Sequence, residues 1–263
     1  LTPERAGAVL GLPVERLLEA SAITDPVLGY GSLYFGPVLD DVVLHRHPFY
    51  PDAPPQSAHI PMIIGNTRDE TLAFLGNDPA NVGLTWESLP GRMTAAVMRV
   101  DIAPETVIAE YRRLYPDWSP DRVLIAASTA ARSWRGAVIE AEARAAQGSP
   151  AFVYQLDFPG TLASGRSGAF HTADIPLVFD NVEAAGSRVS GPDAQRVADR
   201  ISDAFIAFAR SGDPNHAGLP RWGPYDLARR ETMVFDVAPH SEGDPRGAER
   251  RLFARVPYIQ PGT

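Results

Sequence analysis

Cysteine is absent from this 263-residue chain, so disulfides, thiolate catalysis and cysteine-ligated metals are excluded within it. The absence leaves the compartment open, cytoplasmic or secreted, because such a chain fits either side of a membrane. Lysine is absent too, and all 24 cationic side chains are arginine. That removes Schiff-base chemistry and the phosphate-binding lysine of a P-loop. No run of 18 apolar residues occurs, so no membrane span is expected. Positive charge is in deficit: the net charge is −8 and the pI about 5.2. Such a surface repels phosphate backbones, so nucleic acid is not an expected partner. A basic start followed by an apolar run, the mark of a signal peptide, is missing. The chain opens on Leu1 in an already amphipathic stretch, with Val9, Leu10, Leu17 and Leu18 near helical spacing. This start reads as a cut inside a longer protein.

What is there has globular composition. With 44% hydrophobic and 21% charged residues, the chain can bury a sizeable core as one large domain or two small ones. Residues 1–22 predict one or two helices, with Thr2 as N-cap and Pro3 at the first helical position. "LYFGPVLDDVVL" predicts a loop and then a short extended piece, and "HPFYPDAPPQSAH" a proline-rich connector. "IPMIIGN", bounded by Pro61 and Gly65, predicts a buried parallel strand over 61–66. From Trp86 to Gln147 the pattern is helical, with a Ser119 cap, Pro120 and a stop at Gly148. "AFVYQLDF" predicts a strand over 151–158, "DAQRVADRISDAFIAFARSGDPN" a strong amphipathic helix, and "TMVFD" a last strand over 232–236. The polar tail "HSEGDPRGAERR" predicts a loop. Strand, helices, strand, helix, strand is the order of an α/β sheet.

Two stretches can carry chemistry. Glu70 follows the strand of "IPMIIGNTRDETLAF", and catalytic groups gather at the carboxyl ends of strands in open parallel sheets. A carboxylate there can orient a histidine, or be a solvated acid beside Arg68 and Asp69. His171, in "GAFHTADIPLVF", follows the 151–158 strand across a small-residue loop. An imidazole with a pKa near ~6.5 can serve as base and acid, or simply bond a carbonyl. His45 and His47 have the spacing that puts two rings on one strand face near Asp40 and Asp41, a zinc pattern, or are surface residues before Pro48. His59, His216 and His240 fall in predicted loops without partners.

Taken together, "IPMIIGNTRDE" resembles the segment of type-B carboxylesterases (the carboxylesterase/cholinesterase family) that carries a triad glutamate. "GAFHTADIPLVFDN" resembles the segment with the triad histidine. "GPVLDDVVL", "AFIAFARSGDPN", "LPRWGPYD" and "TMVFD" resemble other family segments in the family's order, so the likeness spans about residues 30 to 237. The resemblance implies an α/β-hydrolase fold and a Ser-Glu-His triad, with Glu70 as acid and His171 as base. It implies that Phe74 lines the substrate pocket, where core packing is the alternative. It implies that Asp174 bonds nearby backbone or positions its loop. No metal or cofactor is implied, and the partner is a small ester. Thr71 departs from the glycine that often follows the acid.

A larger departure is the missing nucleophile. No G-x-S-x-G occurs, and no glycine-rich oxyanion loop. Ser167, in "SGRSGAF", lies in a predicted loop rather than on a strand-to-helix turn and is rejected as nucleophile. The expectation is therefore that residues 1–263 are the C-terminal half of a single α/β-hydrolase domain, with a helical segment between the acid and histidine strands. Serine and oxyanion hole then lie on an N-terminal half, and this chain alone is inactive. The alternatives are a cholinesterase-like binding module whose serine is lost and an interaction fragment without chemistry.

Overall fold

The computed structural model describes residues 3–24, 26, 37 and 39–258. The expected cap at Thr2, and residues 33–36 and 38 of the expected extended piece, lie outside them. The chain divides into two units, Leu1–Arg46 with Ile259–Thr263 and His47–Tyr258. In the first, a 3-10 helix, Pro3–Gly11, precedes α1, Val14–Ser21, which buries none of its residues. The extended piece expected near 39–44 is a turn instead. Asp40 Oδ1 accepts the backbone N–H groups of Val42, Val43 and Leu44 at 3.1, 2.9 and 2.9 Å, which closes the chain on itself.

The second unit is built on a four-stranded sheet. Its strands are β1 (Met62–Thr67), β2 (Ala151–Leu156), β5 (Glu231–Phe235) and β6 (His240–Gly243), in that spatial order. A separate antiparallel ribbon joins β3 (Gly160–Thr161) to β4 (Ser167–Gly168). β1, β2 and β5 are parallel, with Met62 opposite Ala151 and Thr67 opposite Leu156; β6 runs antiparallel to β5. Every residue of β2 and β5 is buried. Helices cover both faces, as parallel strands require. Phe152, Tyr154 and Leu156 join the core cluster of α8 (Ile175–Val178) and α9 (Ala194–Ser211), while the alternate Ala151 and Val153 cluster with Ala141 of α7 (Arg135–Ala146). Trp222 sits edge-to-face on Phe152 and Phe235 at 5.9 and 5.7 Å. Truncating a fully buried ring such as Phe235 to alanine costs about 3–5 kcal/mol.

The crossover from β1 to β2 is the helical segment expected from the sequence, though broken by turns. It comprises α2 (Leu72–Leu75), α3 (Leu89–Arg92), α4 (Ala95–Met98), α5 (Pro104–Leu114), α6 (Pro120–Thr129), a π-helical stretch Ala130–Trp134, and α7. Prolines 104 and 120 occupy first turns, where a missing N–H is harmless. Ser119 Oγ accepts the Arg122 N–H at 3.3 Å as expected, and Gly148 stops the run at φ +76°.

The tail read as a loop forms β6 and α10 (Gly247–Phe253). Its charges misled because two of them are buried and paired. Arg246 Nη2 donates to Glu249 Oε2, which also accepts the Tyr111 hydroxyl at 2.6 Å, while Glu249 Oε1 accepts the Tyr115 hydroxyl at 2.8 Å. These groups join α10 to α5 and to Tyr115, which closes it, beside the core formed by Leu252, Phe253, Val107 and Ile108.

Candidate active site

The acid turn is an extension of the β1 ladder. Arg68 N–H still bonds Leu156 C=O at 2.9 Å, and Asp69 then brackets residue 169 from both sides. Its N–H donates to Ala169 C=O at 2.8 Å, and its Oδ2 accepts the Ala169 N–H at 3.1 Å. A Cβ at Gly168 would lie 2.7 Å from Leu72 Cδ2 and 2.9 Å from Asp69 Oδ2, so glycine leaves room for this approach. His171 N–H donates to Glu70 C=O at 3.2 Å. Two loops 101 residues apart in sequence are thus joined through their main chains before their side chains meet.

The side chains then meet. His171 Nδ1 is hydrogen-bonded to Glu70 Oε1, and Glu70 Oε2 accepts from the hydroxyl and, at 3.4 Å, the N–H of Thr67. Glu70's side chain is 13% exposed and that of His171 47%. Among the described residues nothing bonds His171 Nε2. A carboxylate held from one side and spent on Nδ1 fixes the ring and its tautomer, leaving Nε2 to move a proton. Phe74 is not core: it is 52% exposed, its ring 5.1 Å from that of His171. Arg132, from the π-helical stretch, lies over the other partner of that contact, 5.6 Å from the Phe74 ring centre.

Several supports were invisible in the sequence. Thr172 adopts φ +72°, an uncommon conformation for a β-branched residue, at the turn right after His171. Asp174, expected to bond backbone or position its loop, accepts the Tyr154 hydroxyl at 2.8 Å. The Tyr154 ring crosses β1 at Gly65, where a Cβ would collide with it. Burial, then Asp174 and Glu70, push the Tyr154 hydroxyl pKa well up, so it stays a donor. Thr71, in place of the frequent glycine, is fully buried in a hydroxyl cluster: 2.7 Å from Ser128 Oγ, 3.0 Å from Thr129 Oγ1 and 2.9 Å from Ile125 C=O. Thr67, one residue past the strand expected over 61–66, is the last residue of β1, three positions before the acid.

The remaining candidates lie elsewhere. Ser167 is in the β3–β4 ribbon rather than a loop, and its hydroxyl donates to Gly160 C=O at 3.1 Å. Among the described residues no three His, Asp or Glu gather as metal ligands, and His45 and His47 have no such company. His216 and His240, expected without partners, have them. His216 bonds Arg200 C=O through Nε2 at 3.1 Å and takes the Gly218 N–H on Nδ1, and His240 faces Ala238 C=O and Glu242. No helix among the described residues is long and apolar enough to cross a membrane.

Comparison with known proteins gives a consistent likeness. The sequence model of the Carboxylesterase family matches residues 10–252. The chain is 26% identical over 231 residues to the para-nitrobenzyl esterase of Bacillus subtilis, covering 84% of this chain and 44% of that protein. It is 27% identical over 259 residues to the phenmedipham hydrolase of Pseudarthrobacter oxydans, covering 95% and 49%. Among solved structures, the Geobacillus stearothermophilus carboxylesterase EST55 superposes with a TM-score of 0.72 at 31% identity, over 96% of this chain and 51% of the other. The chain spans about half the length of the relatives it matches.

Proposed function

The chain belongs to the carboxylesterase family and has an α/β-hydrolase fold, and from that premise we propose that it is the acid- and base-bearing C-terminal half of one hydrolase domain that cleaves carboxylic esters. The observation that carries this reading is the Glu70–His171 hydrogen bond, with Nε2 turned to a half-exposed face. An N-terminal half supplies the serine and the oxyanion hole. His171 Nε2 takes the serine proton as the serine oxygen bonds the ester carbonyl carbon. Glu70 holds Nδ1–H and stabilises the imidazolium. The carbon–oxygen bond to the alcohol breaks, and the alcohol leaves with the proton from Nε2. Water repeats the cycle, releasing the carboxylic acid and restoring the serine. Phe74 forms part of the wall beside His171, and the mechanism uses no metal or cofactor.

The sheet supports a second half. β1 ends the sheet among the described residues, and four of its six residues are only partly buried, whereas β2 and β5 are wholly buried. A parallel edge of this kind calls for a covering partner. The test is to read the coding sequence upstream of Leu1 and assay the longer polypeptide with a short-chain p-nitrophenyl ester. A G-x-S-x-G upstream, turnover by the longer chain and its loss in His171→Ala are expected, with no turnover by residues 1–263 alone. An upstream half without the serine favours a binding module. Turnover by residues 1–263 alone that His171→Ala abolishes overturns the half-enzyme reading.

A further inference from the structure

We propose, resting on the hydrolase reading above, that Thr71 is a positioning residue for the triad acid: its buried hydroxyl ties the acid turn to α6 through Ser128 and Thr129 and so sets where Glu70 meets His171. The need for a tether follows from how the pair is built. The His171 side chain is half exposed, and among the described residues its ring is hydrogen-bonded to Glu70 alone. Where Glu70 stands therefore decides where the imidazole stands. Glu70 itself sits between two anchored neighbours. Asp69 fixes the turn to Ala169 on the histidine loop. Thr71 fixes it to a helix that does not carry the histidine.

The tether uses backbone and side chain together. Thr71 N–H donates to Thr129 Oγ1 at 3.1 Å. Thr71 Oγ1 lies 3.0 Å from Thr129 Oγ1 and 2.7 Å from Ser128 Oγ, and Ser128 Oγ donates to Leu124 C=O at 2.7 Å. Each hydroxyl has one proton, and these contacts allow an unbroken run of donors: Thr71 N–H to Thr129, Thr129 to Thr71, Thr71 to Ser128, Ser128 to the Leu124 carbonyl. All three hydroxyl residues are fully buried, and the neighbouring Leu72 and Ile125 belong to the apolar core. A valine at 71 has nearly the same shape and no hydroxyl to desolvate. What the hydroxyl adds is direction, because polar groups buried together must all be satisfied and so admit one arrangement. A glycine there could offer Thr129 only its backbone N–H. The same residue opens α2: Thr71 C=O accepts the Phe74 and Leu75 N–H groups at 3.0 and 2.9 Å. The tether therefore also places Phe74, whose ring is 5.1 Å from that of His171.

The test uses the longer polypeptide, a short-chain p-nitrophenyl ester, and proton NMR of enzyme carrying isotope-labelled histidine, in which a ring N–H held by a carboxylate resonates far downfield. Thr71→Val is expected to lower kcat by about 10- to 100-fold with KM little changed, since misplacing a reacting group by about 1 Å costs up to ~100-fold. It is also expected to move the His171 ring N–H resonance upfield. Thr71→Ser keeps the hydroxyl and is expected to recover most of both. Ser128→Ala removes one link from the α6 side without changing the acid turn, and should lower kcat less. The double variant should cost no more than Thr71→Val alone, because the two residues act through one network. Melting temperatures show which variants fold; should Thr71→Val not fold, Ser128→Ala and Thr71→Ser carry the comparison. A folded Thr71→Val with kcat and resonance unchanged overturns the proposal, whatever its melting temperature. Losses that multiply in the double variant overturn the shared network. A wild type without turnover overturns the hydrolase reading, and the resonance, which needs no turnover, still decides whether Thr71 holds the pair.

Discussion

Two of the carboxylates engaged with cationic or basic side chains, Glu249 and Glu70, are built oppositely. Glu249 is spent on three donors, from Arg246, Tyr111 and Tyr115, and its side chain and that of Arg246 are 3% and 7% exposed. Glu70 is also tied, by Thr67 and His171, but its partner is half exposed and keeps one nitrogen for another molecule. The first arrangement closes a helix onto its neighbours; the second leaves a reactive atom at a surface. On the proposed reading access divides the two: a carboxylate whose donors are all buried is structural, and one whose partner keeps a ring nitrogen at the surface serves chemistry.

The sharpest way to break this contrast is to remove the charge of Glu70. In the longer protein Glu70→Gln is expected to lower kcat by about 10⁴, or ~5 kcal/mol of barrier, by offering an amide N–H to the ring and favouring the wrong tautomer. Melting temperature should move little, because Thr67 keeps a partner on the amide oxygen. A loss of less than about tenfold, well below what a working triad acid commands, sinks the assignment of Glu70 as the triad acid.

Glu249→Gln should do the reverse. It leaves Arg246 buried without a counter-charge, a change that destabilises by about 3–5 kcal/mol. The pH dependence follows from its carboxyl. Burial pushes that pKa up, but the charge of Arg246 and the hydrogen bonds of Arg246, Tyr111 and Tyr115 outweigh burial and hold it below the ordinary value. The folded state then binds fewer protons than the unfolded chain. The stability it contributes is full above the unfolded pKa near ~4.3 and is lost as pH falls through the lower folded value. Unfolding free energy measured against pH should show this acid limb in the wild type and lack it in Glu249→Gln. An unchanged acid limb would mean that the pair contributes no linkage.

The same contrast explains what could be read in the sequence. The parallel strands were legible because "IPMIIGN" is a short bounded apolar run and "AFVYQLDF" alternates and is rich in aromatics: the expected spans 61–66 and 151–158 fall within two residues of β1 and β2. Glu70 and His171 were legible by resemblance, because their motifs sit at strand ends. The stretch from 240 to 251 was misread because composition takes charge as solvation, whereas Arg246 and Glu249 neutralise each other inside the fold. Phe74 was ambiguous because a ring on a helical period is the same letter whether it faces core or site; only the structure sets it against His171. Asp69 was read as a bystander to Glu70, since a two-way backbone bracket to a residue 100 positions away leaves no local pattern.

That bracket yields the smallest and most discriminating expectation. Burial raises the Asp69 carboxyl pKa, with the Ala169 N–H and the charge of Arg68 pulling the other way. The folded state therefore takes up its proton at higher pH than the unfolded chain. Stability falls as pH climbs from the unfolded value near ~3.9 through the raised one, and the penalty is complete at neutral pH. Asp69→Asn removes the penalty while an amide oxygen can still accept the Ala169 N–H at the place Oδ2 now occupies. Stability at pH 7 is expected to rise, and the gain to vanish in acid, where the wild-type carboxyl is protonated too. Its effect on kcat should be far smaller than that of Glu70→Gln, since it changes no group on the imidazole. Denaturant unfolding of both variants at pH 4 and pH 7, beside their turnover, separates the cases. If Asp69→Asn loses activity as Glu70→Gln keeps it, the acid of the pair is one residue earlier than the hydrogen bond to His171 says. If Asp69→Asn destabilises at pH 7, the negative charge itself holds the loops together, and burial is not what governs that carboxyl.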